Sequence, residues 1–218
     1  MLPLLLAAVG LSGCAPVREY AATKRSERLL AQGWIALVHE QPAQAEVAFR
    51  QAARLRPAPD LLARIGLAYH LEGRFSEALP WLERAVAAQP RQPWMIHVAL
   101  AAGYAASDKS QQAEGLMRET LLTMPNDAEV LNAAAYPMTD AGLLLDYTER
   151  ILLRAVELAP EDGFVLDSLA WTYFRQGRLN EAVTLLEKAL LLSDDREIRI
   201  HLNQARAARE RKNLGAIR

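Results

Sequence analysis

The side chains of this sequence that could do acid–base or metal chemistry are few and scattered. Four histidines, His39, His70, His97 and His201, stand far apart and lack the spacing by which side chains converge on a metal ion. Carboxylates such as Glu83, Glu157 and Glu187 have Lys or Arg nearby. They read as solvated surface pairs, not as the matched acid and base of a catalytic centre. There is no nucleophile elbow, no phosphate-cradling glycine loop and no H-E-x-x-H. The pattern predicts no enzyme, no cofactor and no metal. One residue does have a chemical context. Cys14, the only cysteine, closes an apolar stretch from Leu2 to Leu11 through the small residues Ser12 and Gly13. A short apolar run ending in small residues is the processing signature of an exported chain, so residues 1–13 read as a signal peptide.

The tetrad Leu11-Ser12-Gly13-Cys14 resembles the lipobox of bacterial lipoproteins. That resemblance implies a diacylglyceryl group on Cys14, and two or three acyl chains anchor stably where one would not. Ala15 is not the aspartate that keeps such proteins in the inner membrane of enteric-type bacteria. The implied location is the outer membrane, facing the periplasm. No stretch approaches the roughly 20 apolar residues of a spanning helix. The chain has 218 residues, 51% of them hydrophobic, and a net charge of −1, which gives no support to nucleic acid as a partner.

The elements that follow are helical hairpins. Gly163 to Asp195 sets Leu166, Leu169, Ala170 and Tyr173 on one face of a first helix, and Ala182, Leu185, Leu186 and Ala189 on one face of a second. Gly177 is placed to close the first helix in a left-handed conformation, and Asn180 to cap the second. Such a hairpin cannot bury its apolar face alone, and the chain supplies neighbours. A small residue recurs in each first helix: Gly33, Gly66, Ala101, Ala135, Ala170. Each second helix repeats small, bulky, small: Ala45-Phe49-Ala52, Ala78-Leu82-Ala85, Ala113-Met117-Thr120, Thr148-Leu152-Ala155, Ala182-Leu186-Ala189. Paired helices need small side chains where their axes cross and large ones beside the crossing.

This register resembles the tetratricopeptide repeat, whose period near 34 residues and W-L-G-Y…A…F…A…P pattern it follows. The second unit fits best, with Ile65, Gly66, Tyr69, Gly73, Ala78, Leu82, Ala85 and Pro90 in place. The expected fold is all-α, a right-handed solenoid of five hairpins over residues 26–195. The units span 26–59, 60–93, 94–127, 128–162 and 163–195, after a lipidated Cys14 and tether over 14–25. Residues 196–218 form a capping helix and basic tail, with Ile198, Leu202 and Ala205 inward and Arg199, Arg206, Arg209, Arg211 and Lys212 outward. Ser76 and the pair Asp146/Glu149 are expected to cap the second helices of units two and four. On that reading Pro80 falls harmlessly in a first turn, whereas Pro137 lies deep in a helix and should kink it.

In this family the concave wall comes from the first helix of each unit. Carried over position by position, the resemblance implies a groove of Trp34, Leu37, Leu67, His70, Met95, Val98, Asn132, Tyr136, Asp167, Trp171, Phe174 and Arg175, with Leu30, Ala63, Ala102, Glu129 and Phe164 beside them. The Lys, Asn and Arg of the carboxylate clamp are absent from most of these positions, so chaperone-tail binding is not implied. An apolar, aromatic groove suits a protein partner that offers an amphipathic helix or an extended apolar segment. Trp171 reads as its accessible anchor. The implied function is a lipid-anchored periplasmic adaptor for envelope assembly: pilus, polysaccharide export or cell-wall enzyme recruitment. The alternatives are an assembly factor that uses its convex face, or a cytoplasmic interaction protein if the N-terminus is not a signal.

Overall fold

The computed structural model describes residues 14–215, so the expected signal peptide lies outside it. Among the described residues there are eleven α-helices and no strand. They are α1 (Cys14–Val38), α2 (Pro42–Leu55), α3 (Pro59–Leu71), α4 (Phe75–Ala88), α5 (Trp94–Ala105), α6 (Ser110–Thr120), α7 (Ala128–Ala141), α8 (Leu145–Leu158), α9 (Gly163–Arg175), α10 (Leu179–Leu192) and α11 (Arg196–Gly215). Consecutive helices pair as α1·α2, α3·α4, α5·α6, α7·α8 and α9·α10, and α11 packs on α10 and α9. The fold is an α-solenoid of five hairpins with a terminal helix.

The size register holds the hairpins together. Ala45, Phe49 and Ala52 are fully buried, as are Ala78, Leu82 and Ala85, and the same positions in the other units follow suit. The small first-helix residue is required by contact. A Cβ on Gly66 would stand 2.5 Å from Leu82 Cδ2, and one on Gly33 would run into the Phe49 ring. Ile198, Leu202 and Ala205 of α11 close the last core.

Several local expectations are corrected. Residues 14–25 are not a tether but the first turns of α1, continuous with the first repeat. The stretch is rich in Ala, Arg, Lys and Glu, which favour helix without needing an apolar face. Asn180 and Ser76 lie inside their helices, and neither α10 nor α4 has a side-chain cap. Backbone bonds do the work instead. Each hairpin turn has a left-handed residue at an equivalent place, Glu40, Gly73, Asp108, Gly142 or Gly177. The next amide then donates to a carbonyl five residues back, as in Arg74 N to Tyr69 O (2.9 Å) and Arg178 N to Tyr173 O (2.9 Å). Any residue but proline can donate that bond, so side-chain capping signals there carry little information. The side-chain caps fall between units, where Asp127 accepts from Val130 N and Asp162 from Phe164 N and Val165 N.

Unit four carries one extra turn residue. Leu144 takes a left-handed conformation (φ 50°) directly before α8. Asp146 and Glu149 form no capping pair. Glu149 instead accepts from Arg178 (2.7 Å) and Gln176 (2.9 Å) of the next unit. Pro80 is the sixth residue of α4, not part of its first turn, so the Ser76 carbonyl loses its helical donor. Both residues are exposed, which leaves that carbonyl to water. α7 runs unbroken through Pro137, and Asn132 and Tyr136 beside it are half-buried.

Candidate binding groove

The first helices α3, α5 and α7 share one open face and wall an apolar cleft of about 600 Å³. Ala63 and Leu67 come from α3, Trp94, Met95 and Ile96 from α5, and Val130 from α7, with Pro93 and Pro125 at the ends. Trp94 is fixed in this wall because its indole N–H donates to the Thr120 carbonyl at 2.9 Å. The rim charges are already paired. Arg56 donates to both carboxylate oxygens of Asp60 (2.8 and 2.9 Å), and Arg64 to Glu27 (2.8 Å). Leu67 and Met95, expected in the groove, therefore meet in one cleft.

Other expected groove residues are core. Val98 is fully buried, and Leu37 is buried against α2 and α3. Leu30, Ala63 and Ala102 are buried as well. For Val98 and Ala102 the reason is the smallness of α5 itself, whose Ala99, Ala101, Ala102 and Gly103 let α3 and α7 touch across it. His70 is buried in this closure and does not line the groove. Its Nε2–H donates to the Ala134 carbonyl of α7 at 3.2 Å, its ring stands edge-on to Phe75 at 5.4 Å, and its Nδ1 has no partner. Burial holds the imidazole down at about pKa 4, against the opposing bond from Ala134.

At the other end α11 covers the face that the sequence assigned to the groove. Asp167 is buried and bonded to His201 Nδ1 at 2.9 Å. Trp171 is only 6% exposed. Its ring stacks on Phe174 (centroids 4.4 Å apart) and on His201 (4.1 Å), and its indole N–H reaches Asp140 Oδ1 at 3.3 Å. Trp171 is a packing residue, not an accessible anchor. Arg175 is exposed, and its guanidinium donates to the Asp140 carbonyl. Trp34 (43%), Phe164 (53%) and Glu129 remain open to solvent.

Between α7, α9 and α11 this covering leaves a second cavity of about 630 Å³, lined by Tyr136, Asp140, Trp171, Asp195, Arg196, Glu197, Ile200, His201 and Gln204. The Tyr136 hydroxyl donates to Glu197 Oε1 at 2.6 Å. Asp140, Glu197 and His201 were not singled out from the sequence. His201 could have been, because it stands one repeat period after Asp167 and so occupies the same position in the register. Among the described residues no group of His, Cys, Asp and Glu side chains is arranged to hold a metal ion.

Stacked helical hairpins with a small–bulky–small crossing and a shared face of first helices define a repeat-built α-solenoid. The tetratricopeptide-repeat family matches the chain over residues 30–93 and again over residues 165–193, and these stretches are tetratricopeptide repeats. A TPR repeat-containing protein of Pseudomonas aeruginosa is 33% identical over 93 residues, which is 43% of this chain but only 16% of that relative's length. A thermophilic TPR protein of Thermus thermophilus superposes with a TM-score of 0.57 at 21% identity, over 83% of this chain and 98% of its own. Human IFIT1 gives 0.58 at 19% identity, over 86% of this chain and 48% of that one. MamA of Desulfovibrio magneticus gives 0.51 at 17%, over 79% and 97%. At these identities the structural likeness is one of fold.

Proposed function

We propose that this protein is a lipid-anchored adaptor of the bacterial envelope that holds a segment of a protein partner in the cleft across α3, α5 and α7. The observation that carries the binding reading is the cleft itself. Leu67, Trp94, Met95 and Val130 offer apolar surface whose rim charges are already paired, so an entering apolar segment strands no charge. Leu67→Asp together with Met95→Asp is expected to abolish recovery of the native partner while leaving the helical circular-dichroism spectrum intact. Unchanged recovery would refute the cleft. The anchor rests on the Leu11–Cys14 tetrad. Intact mass of protein extracted from its own host should show an acylated Cys14 at the N-terminus. Unmodified Cys14 would refute the anchor, and with it the outer-membrane location, without touching the cleft.

A further inference from the structure

Helix α1 runs unbroken from Cys14 into the first repeat, with no linker between them. Whatever holds Cys14 at a membrane therefore holds α1 beside it. Opposite its buried side of Leu30, Gly33 and Leu37, α1 carries a ridge of Tyr20, Lys24, Arg28, Ala31, Ile35 and Val38. Steps of three and four residues keep all six in line, and all six are exposed. Tyr20, Ile35 and Val38 stand between 55 and 64% open to solvent.

The same positions are covered four repeats later. Arg28, Ala31, Ile35 and Val38 correspond in the register to Val165, Ser168, Thr172 and Arg175. The first three of these are buried. The Thr172 hydroxyl meets that of Thr139 in α7 at 2.8 Å, and Arg175 donates to the Asp140 carbonyl. In a first helix this is the side that receives the preceding unit. Among the described residues no helix precedes α1, so its ridge stays open.

The composition of the ridge says what suits it. It contains no Asp or Glu, and among the described residues neither Lys24 nor Arg28 has a carboxylate partner. Glu27, between them in sequence, bonds to Arg64 of α3 instead. Lys24 Nζ lies 5.5 Å from the centroid of the Tyr20 ring. A second copy packed on this ridge would gather the cations of both chains without a counter-charge. An anionic lipid surface supplies that charge. Tyr20, Ile35 and Val38 would enter its interfacial layer, while the Lys and Arg stems lie flat and their heads reach phosphate. From Tyr20 to Val38 the ridge is about 27 Å long. Among the described residues no helix is long and apolar enough to cross a membrane, so α1 fits the plane of the bilayer and not its normal.

We propose that the Tyr20–Val38 ridge of α1 lies on the bilayer that holds the acyl chains of Cys14, against anionic phospholipid headgroups, and so sets the orientation of the solenoid on the membrane. This rests on the acylated Cys14 proposed above and adds to it a second, non-covalent contact.

The test uses the full acylated protein from its own host, with its mass measured first. It is reconstituted into vesicles of phosphatidylethanolamine and phosphatidylglycerol. Acylation consumes the only native thiol, so Ile35→Cys can be spin-labelled alone, with Arg118→Cys on α6 as the reference. Both positions are exposed and tolerate a label. Collisions with oxygen and with a water-soluble nickel chelate then report depth. The Ile35→Cys label is expected about 5–10 Å inside the headgroup layer, and the Arg118→Cys label in water. The first label should move out to water on vesicles of phosphatidylcholine alone. It should do the same on the anionic vesicles when Lys24→Gln/Arg28→Gln is added. Equal depth in all three cases would overturn the assignment to anionic headgroups. An acylated protein whose two labels meet the nickel chelate equally would overturn the proposal and leave the anchor standing. Mutual broadening between Ile35→Cys labels would put a second copy on the ridge and overturn it as well. An unmodified Cys14 in the starting mass would remove the anchor and the proposal together.

Discussion

Trp171→Ala is expected to unfold the C-terminal end of the solenoid, not merely to weaken binding. The ring is buried between Phe174 and His201 and ties α9 to α7 through Asp140. Removing a buried tryptophan costs about 3–5 kcal/mol in transfer and cavity terms. The neighbours aggravate the loss, because His201 would keep its bond to Asp167 but lose the surface on which it stacks. For a chain of this size that corresponds to a fall of roughly 10 °C or more in melting temperature. The unfolding should begin with α11, since each unit of a repeat array is stabilised mainly by its neighbours. Trp171→Phe keeps a ring in the stack and gives up the indole bond, so it should cost only about 1 kcal/mol. Thermal melts followed by circular dichroism check both. An unchanged melt for Trp171→Ala would return the residue to the groove surface and contradict its placement under α11.

The second large effect is a loss of stability in mild acid that traces to His70. Its folded pKa is held down at about 4 by burial, while an unfolded histidine titrates near 6.5. Between those values the unfolded chain takes up a proton that the folded chain refuses. The stability from keeping His70 neutral is therefore complete above about pH 6.5 and drains away as the pH falls towards 4. From pH 7 to pH 4.5 the loss is about 2–3 kcal/mol. Asp167 works in the opposite direction, since its raised folded pKa favours the fold as it protonates. The His70 contribution is isolated by difference. His70→Leu should remove most of the acid-induced drop in urea midpoint seen in the wild type, leaving the carboxylates to set what remains. An equal drop in both proteins would mean that the closure between α3 and α7 opens to water.

How much of this was legible in the sequence depends on the range of the interaction. Gly66 against Leu82 and Gly33 against Phe49 are crossings within one hairpin, and residue size at fixed spacing reveals them directly. The hairpin turns were legible as places but not as chemistry. Glu40 and Asp108 adopt the left-handed conformation of Gly73 and Gly177, and the closing bonds run between backbone groups that every residue but proline has. The groove was legible in part. Leu67 and Met95 do line a cleft, but Val98, His70, Asp167 and Trp171 are covered by helices one or two units away. Whether a first-helix position is wall or core depends on how closely the next helix approaches. Here that is set by the run of small residues in α5 and by the reach of α11, neither of which any single hairpin reports.

The central claim is that the α3–α5–α7 cleft holds the partner, and site-specific photo-crosslinking in native envelopes tests it most directly. A benzoylphenylalanine at Met95 faces the cleft, and one at Arg118 stands on an exposed face of the second helix α6. Irradiation should yield one discrete adduct from the Met95 position, absent from the Arg118 position and lost when Leu67→Asp is added. Adducts at Arg118 and none at Met95 would put the partner on the convex side and contradict the account.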